Sequence, residues 1–258
     1  MLTTGIQFTP SLAEGEIMKR NSQFTMDVEI EGEIMKCHCP TTGRIGELDV
    51  AGIPCLLSRS DDPSRKTSYT VEAISLDAPA EPKKSWIGIN QNAANRYVEH
   101  YLRSHQFPDM VDDYDEVQRE KWLGHSKLDF LVGDTYLEVK TPLQNLMVDY
   151  PAHVKRKKVT PFHSTDRFVK HINELADSLE THQRAILLSC FIYSCPSYKI
   201  PLNASNTAYV KEEVQRCIRR GIEIWQVNFN ISPEGVVLQG YTNTTANFLE
   251  GGSALWGQ

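Results

Sequence analysis

Asp129, Glu138 and Lys140 are the residues of this 258-residue chain whose types and spacing could serve phosphodiester chemistry. They lie in the run KLDFLVGDTYLEVK, Lys127 to Lys140, which reads as a β-hairpin. Gly133-Asp134 is a Gly-first pair suited to a type II′ turn, and the flanks alternate apolar and polar with period 2. Pairing Val132 with Thr135 puts Leu131 opposite Tyr136, Phe130 opposite Leu137, Asp129 opposite Glu138 and Lys127 opposite Lys140. One face then carries Leu128, Phe130, Val132, Leu137 and Val139; the other carries Lys127, Asp129, Glu138 and Lys140. Two carboxylates about 5 Å apart repel by roughly 3 kcal/mol at an effective dielectric near 20. A hard divalent cation relieves that repulsion, since Mg²⁺ is commonly held by one or two carboxylates with water and phosphate oxygens completing its shell. Lys140, two residues from Glu138 and on the same face, could orient or deprotonate a water and stabilise charge on a phosphate. The competing reading is a solvated face on which Asp129 pairs with Lys140 and Glu138 with Lys127 to little energetic effect.

These residues need a scaffold, and the chain divides into two textures. Residues from about 22 to 77 read as short strands separated by turns: QFTMDVEIE, EIMKCHC, IPCLLS, SYTVEAISL and, more weakly, ELDV. Such spacing suggests a small barrel or sandwich. The stretch DAPAEPKK, Asp77 to Lys84, is the linker candidate, so the expected domains are residues 1–82 and 83–258. Beyond it, Asn92 to His105 is helical, with Ala94, Val98, Tyr101 and Leu102 on one stripe. A strand near Glu116 to Trp122 precedes the hairpin. A second helix runs from His163 or Ser164 to Thr181, with Phe168, Ile172, Leu175 and Leu179 on its stripe and Ser164 or Thr165 as cap. Ala185 to Ser194 reads as a buried strand, Ala208 to Arg220 as a helix stopped by Gly221, and Ile222 to Phe229 as another strand. This is an α/β layer architecture, a mixed sheet flanked by helices. The last fifteen or so residues show no clear periodicity.

Bulk attraction to nucleic acid is excluded by a net charge of −6, but the charge is unevenly spread. The segment between His153 and His171 holds +5 and the remainder −11, which suits a confined phosphate-binding site. No apolar stretch approaches a signal peptide core or a membrane span, which places the chain in the cytoplasm with no membrane partner. Six cysteines are too few and scattered for a disulfide scaffold. Cys37-His38-Cys39 lacks a second ligand pair at zinc-finger spacing, and strand alternation puts both cysteines on a buried face with His38 opposite.

Several separated matches, in order, resemble the sugar fermentation stimulation protein A family. They are Asn21 to Phe24, His38 to Arg44, Trp86 to Asn90 followed by Asn95, Glu120 six residues before Ser126, Ser126 to Phe130, Glu138 to Lys140, Lys170-His171 and Gly221 to Glu223. The resemblance implies an OB-like N-terminal barrel followed by a restriction-endonuclease-like PD-(D/E)xK sheet. Thr41 and Lys127 stand where the family usually has Asn and Arg, and Pro161-Phe162-His163 stands in place of its Pro-Asp-Ala.

The resemblance implies a metal-dependent DNA or RNA nuclease of low sequence specificity. Asp129 and Glu138 would bind Mg²⁺ or Mn²⁺ with help from the Val139 carbonyl, Lys140 would position water, and Glu120 would be an outer ligand or water-holder. Arg44, Lys127, Lys155, Arg156, Lys157, Lys158, Arg167, Lys170 and His171 would contact nucleic acid, largely through phosphates. Phe24 and Tyr69 are candidate stacking residues of the barrel, although alternation favours Phe24 as core. The alternative is a non-catalytic, non-specific DNA-binding protein with a regulatory role in sugar metabolism. Direct action on sugars ranks last, since no sugar site or Gly-rich nucleotide loop is recognisable.

Overall fold

The computed structural model describes residues 5–41, 43–112, 114–123, 126–157, 165–198 and 206–249. In chain order the first elements are strands β1 (Ile6–Gln7), β2 (Ala13–Arg20), β3 (Thr25–Ile30), β4 (Glu33–His38), β5 (Ile53–Arg59), β6 (Tyr69–Ile74) and β7 (Ile87–Gly88). Helix α1 (Gln91–Arg103), strands β8 (Val117–Leu123), β9 (Ser126–Val132) and β10 (Thr135–Lys140), and helix α2 (Asp166–Asp177) follow. Strand β11 (Arg184–Phe191), helix α3 (Thr207–Arg219), strands β12 (Glu223–Ser232) and β13 (Gly235–Asn243), and helix α4 (Thr245–Leu249) complete the set.

The N-terminal strands run in the order β4-β3-β2-β5-β6-β7, and a β4–β6 pairing closes five of them into a barrel. Its interior is the inward half of each alternating strand, including Met26, Val28, Cys37, Cys55, Leu57 and Val71. All six cysteines are free and buried, with Cys37 and Cys39 inside and His38 only half-buried, as alternation requires. Phe24 departs from that expectation. The chain turns just before β3, where Thr25 O accepts the N–H groups of Asn21 and Ser22, and Phe24 is left 48% exposed. ELDV forms only a single bridge, from Leu48 to Arg156.

The second sheet has the order β1-β13-β12-β11-β10-β9-β8, with β10, β11 and β12 parallel and the outer pairs antiparallel. Helix α1 covers one face, packing Ala94, Tyr97, Val98 and Tyr101 against Phe130, Val132, Leu137, Ile186 and Phe229. Helices α2 and α3 cover the other, setting Val169, Ile172, Leu175, Val210 and Val214 against Tyr136, Leu187 and Ile224. A sheet buried on both faces explains the nearly continuous apolar sequence of β11. Each fully buried Val, Leu, Ile or Phe contributes about 1.5–3 kcal/mol relative to exposure.

Several elements differ from the sequence expectation. Strand β1 joins β13 of the C-terminal sheet, with Ile6 opposite Val236, so the chain crosses the expected 1–82 boundary before entering the barrel. Strands β1, β2 and β13 have no counterpart in the sequence reading, and α4 buries Phe248 in the terminal segment that shows no clear periodicity. Helix α2 begins at Asp166, so the proposed starts at His163 and Ser164 lie outside the described residues. Thr165 makes no side-chain cap; its hydroxyl accepts a hydrogen bond from Asn206 instead.

Buried polar contacts join the two parts. Glu72 of β6, 6% exposed, accepts hydrogen bonds from Ser58 Oγ at 2.6 Å and Asn90 Nδ2 at 2.7 Å. The Asn90 Oδ1 in turn caps α1 by accepting Ala93 N–H at 3.1 Å. No helix among the described residues is long and apolar enough to cross a membrane.

Candidate active site

The β9–β10 hairpin forms in the expected register for Val132–Thr135, Leu131–Tyr136 and Phe130–Leu137. Gly133 takes φ +55°, the left-handed value that the first position of a type II′ turn requires. Beyond Leu137 the pairing changes. The Asp129 side chain enters the ladder, its Oδ2 accepting Val139 N–H at 2.7 Å while Oδ1 accepts from Asn95 Nδ2 at 2.7 Å. On its other side, β9 passes from an Arg119–Phe130 pair to a Lys121–Leu128 pair, and the intervening Glu120 has φ +51°. A carboxylate substituting for a backbone acceptor interrupts the pleat here. Leu128 therefore packs with Tyr136 and Ile172 beneath α2, instead of sharing a cluster with Phe130 and Val132 as alternation implied. Lys127 pairs with Trp122 of β8, not with Lys140.

Glu138 is 3% exposed. Its Oε1 receives Lys140 Nζ at 2.5 Å and His171 Nδ1 at 2.5 Å, and the two nitrogens lie 3.3 Å apart. The other oxygen, Oε2, is buried without a hydrogen-bond partner. Burial, then the charge of Glu138, push Asp129 from 3.8 up to about 6, opposed by the Val139 N–H, Asn95 and Lys140.

A cleft of about 900 Å³ exposes this group, with Asp129, Glu138 and Lys140 in its wall and Thr41 and Arg44 contributed by the segment after β4. Lys127, Arg167 and His171 also line it. The remaining candidates have different positions. Glu120 is 64% exposed and pairs with Lys127 at 3.5 Å, and Lys170 is exposed beside Glu174 at 3.7 Å.

The basic segment departs most from its expected role. Arg156 pairs with Glu47 and lies over the Tyr150 ring at 5.0 Å, while Lys157 pairs with Asp49 at 3.1 Å. Lys155 accepts Asp49 N–H through its backbone carbonyl and borders a separate, smaller cavity. Arg156 and Lys157 thus tie the segment to acidic groups beside the barrel, Lys155 does so through its backbone, and none of the three lines the cleft; Lys158 and Phe162 lie outside the described residues.

Sequence reasoning missed two positioning contacts from α1. Asn95 holds Asp129, and Gln91 Nε2 donates to Thr141 O at 2.9 Å, beside Lys140. Their signal was available: Gln91 and Asn95 are amides four residues apart, bordering the apolar stripe of one helix.

Among the described residues no three His, Cys, Asp or Glu side chains form a ready-made metal cage. The donor set fits a hard cation that retains water or phosphate ligands, and the unpaired Glu138 Oε2 supplies an acceptor whose burial is otherwise costly.

Two family models match the chain in succession: the SfsA N-terminal OB domain over residues 18–89, and the sugar fermentation stimulation protein RE domain over residues 92–235. The chain belongs to the sugar fermentation stimulation protein family. A sugar fermentation stimulation protein homolog of Picosynechococcus is 33% identical, with 90% of each chain covered. One from Microcystis aeruginosa is 31% identical over 90% of this chain and 94% of its own. Among solved structures, Pyrococcus furiosus SfsA in complex with Ca²⁺ superposes with a TM-score of 0.70 over 93% of this chain and 98% of that one. At 19% identity, that likeness establishes the shared family fold of barrel followed by mixed sheet.

Proposed function

We propose that this member of the sugar fermentation stimulation protein family is a divalent-metal-dependent nuclease, hydrolysing DNA or RNA phosphodiester bonds with low sequence specificity. The observation that carries the reading is the buried, unpaired Oε2 of Glu138, in a carboxylate pair with Asp129 at a cleft walled by cations. Asp129 and Glu138 would hold Mg²⁺ or Mn²⁺; the Pyrococcus relative was solved with Ca²⁺, another hard, oxygen-seeking ion. When bound, the ion supplies Lewis-acid stabilisation of phosphoryl charge and makes water more acidic.

The chain's own groups have separate tasks. Asn95 and the Val139 N–H fix the Asp129 carboxylate. His171 holds Glu138 Oε1, and Lys140 places its ammonium at the cleft wall, where it would orient the attacking water and offset charge on phosphate. Arg44, Lys127 and Arg167 would position the phosphate backbone without reading bases.

The test is cleavage of labelled single- and double-stranded DNA and RNA with Mg²⁺, Mn²⁺ or EDTA. Metal-dependent cutting that disappears in Lys140→Ala and in Asp129→Ala/Glu138→Ala establishes the activity and its residues. A second reading, a non-catalytic DNA-binding protein, draws support from Glu138 Oε1 being already engaged by Lys140 and His171. It requires salt-sensitive binding that survives all three substitutions with no cutting in any condition.

A further inference from the structure

Trp122, at 66% exposure, is the most exposed large apolar side chain among the described residues. Tryptophan is highly buried on average, so this degree of exposure is unusual. It lies on β8, the edge strand of the second sheet, directly opposite Lys127 of β9. Directly opposed residues of an antiparallel pair share a face, and Lys127 lines the cleft that holds Asp129 and Glu138. Trp122 therefore extends the cleft side of the sheet outward along the hairpin. The Lys127 ammonium stands 5.4 Å from the Trp122 ring centroid, so a cation and an aromatic plane are presented together. Glu120, on the same strand, also reaches Lys127, at 3.5 Å.

We infer that the substrate of this cleft is nucleic acid with unpaired bases, and that Trp122 stacks one base while Lys127 holds an adjacent phosphate. The inference rests on the nucleic-acid reading of the cleft and names the substrate class within it. Unpaired bases offer a free π-face to an aromatic ring, whereas bases within a duplex are already stacked on both sides. A ring beside an ammonium matches the alternation of base and phosphate along a strand, and stacking on Trp is tolerant of sequence. Continuity with the cleft and charge complementarity at Lys127 both favour that occupant.

Fluorescence anisotropy tests this with labelled oligothymidylate, oligouridylate and a blunt DNA duplex, all in EDTA so that binding is read without cutting. We expect tighter binding of the single strands than of the duplex. Trp122→Ala should weaken single-strand binding about tenfold or more and leave duplex binding unchanged, while Trp122→Phe retains most of the affinity. Equal single-strand affinity in wild type and Trp122→Ala overturns the inference, as does an equal loss on both substrates. Metal-dependent cutting combined with a silent Trp122→Ala would reject the stacking site and leave the nuclease standing. Trp122-dependent single-strand binding with no cutting in any metal would do the reverse.

Discussion

Asp129 accepts the backbone N–H of Val139 at 2.7 Å, placing a side-chain carboxylate where a strand would ordinarily offer a carbonyl. That contact ends the regular β9–β10 pairing, turns Leu128 toward α2 and anchors Asp129 next to the strand that carries Glu138 and Lys140. Loss of ladder regularity is thus coupled to construction of the site.

Asp129 should make metal-free stability depend on pH. Its pKa rises from 3.8 to about 6, chiefly through burial and then through Glu138. The folded state holds this proton more tightly than the unfolded chain, so the stabilisation is complete below 3.8 and is lost as pH rises through about 6. Urea denaturation in EDTA should show that descent in wild type and lack it in Asp129→Asn. Identical profiles for the two proteins would remove the assignment.

Metal should reverse the penalty of the carboxylate pair. Mg²⁺ or Mn²⁺ is expected to raise Tm, by a stabilisation of roughly 2.7 kcal/mol at about 100 times Kd, and the rise should vanish in Glu138→Gln. A Tm indifferent to both ions in wild type argues for the non-catalytic reading.

Asn95→Ala should cost about 1–2 kcal/mol, because it removes a 2.7 Å hydrogen bond to a partly buried carboxylate. It should also shrink the metal-induced rise in Tm, since Asp129 loses one of its two fixed partners. Differential scanning fluorimetry with and without Mn²⁺ measures both effects.

Glu72→Ala should destabilise by about 2–3 kcal/mol, because Ser58 and Asn90 both donate to that buried carboxylate. Chemical denaturation measures the loss, and Glu72→Gln should recover part of it by keeping an acceptor oxygen. A surface-sized effect below about 0.5 kcal/mol would show that this network does not tie the barrel to α1.

The basic segment should behave as a structural tie. Arg156→Ala and Lys157→Ala, at partly exposed ion pairs, should each change stability by no more than about 1 kcal/mol. Neither should alter the salt slope of nucleic-acid binding, whereas Arg167→Ala should reduce that slope by about one. Equal slopes lost from Lys157→Ala and Arg167→Ala would return the segment to the substrate surface.

What the sequence by itself determined is local. Gly133-Asp134 and period-2 alternation set three hairpin pairs, and 3.6-residue periodicity placed α1 and α3 within one or two residues. These signals reside in neighbouring residues, so sterics and solvent read them without the rest of the chain. Tertiary structure alone decided that His171 meets Glu138 across 33 residues, that Asn95 holds Asp129 across 34, and that Arg156 turns to Glu47 across 109. It also exposed Phe24 and Trp122 and gave β1 to the far end of the second sheet. Such outcomes depend on which distant surfaces meet and on how buried charges find partners once the layers close, and no local period encodes either.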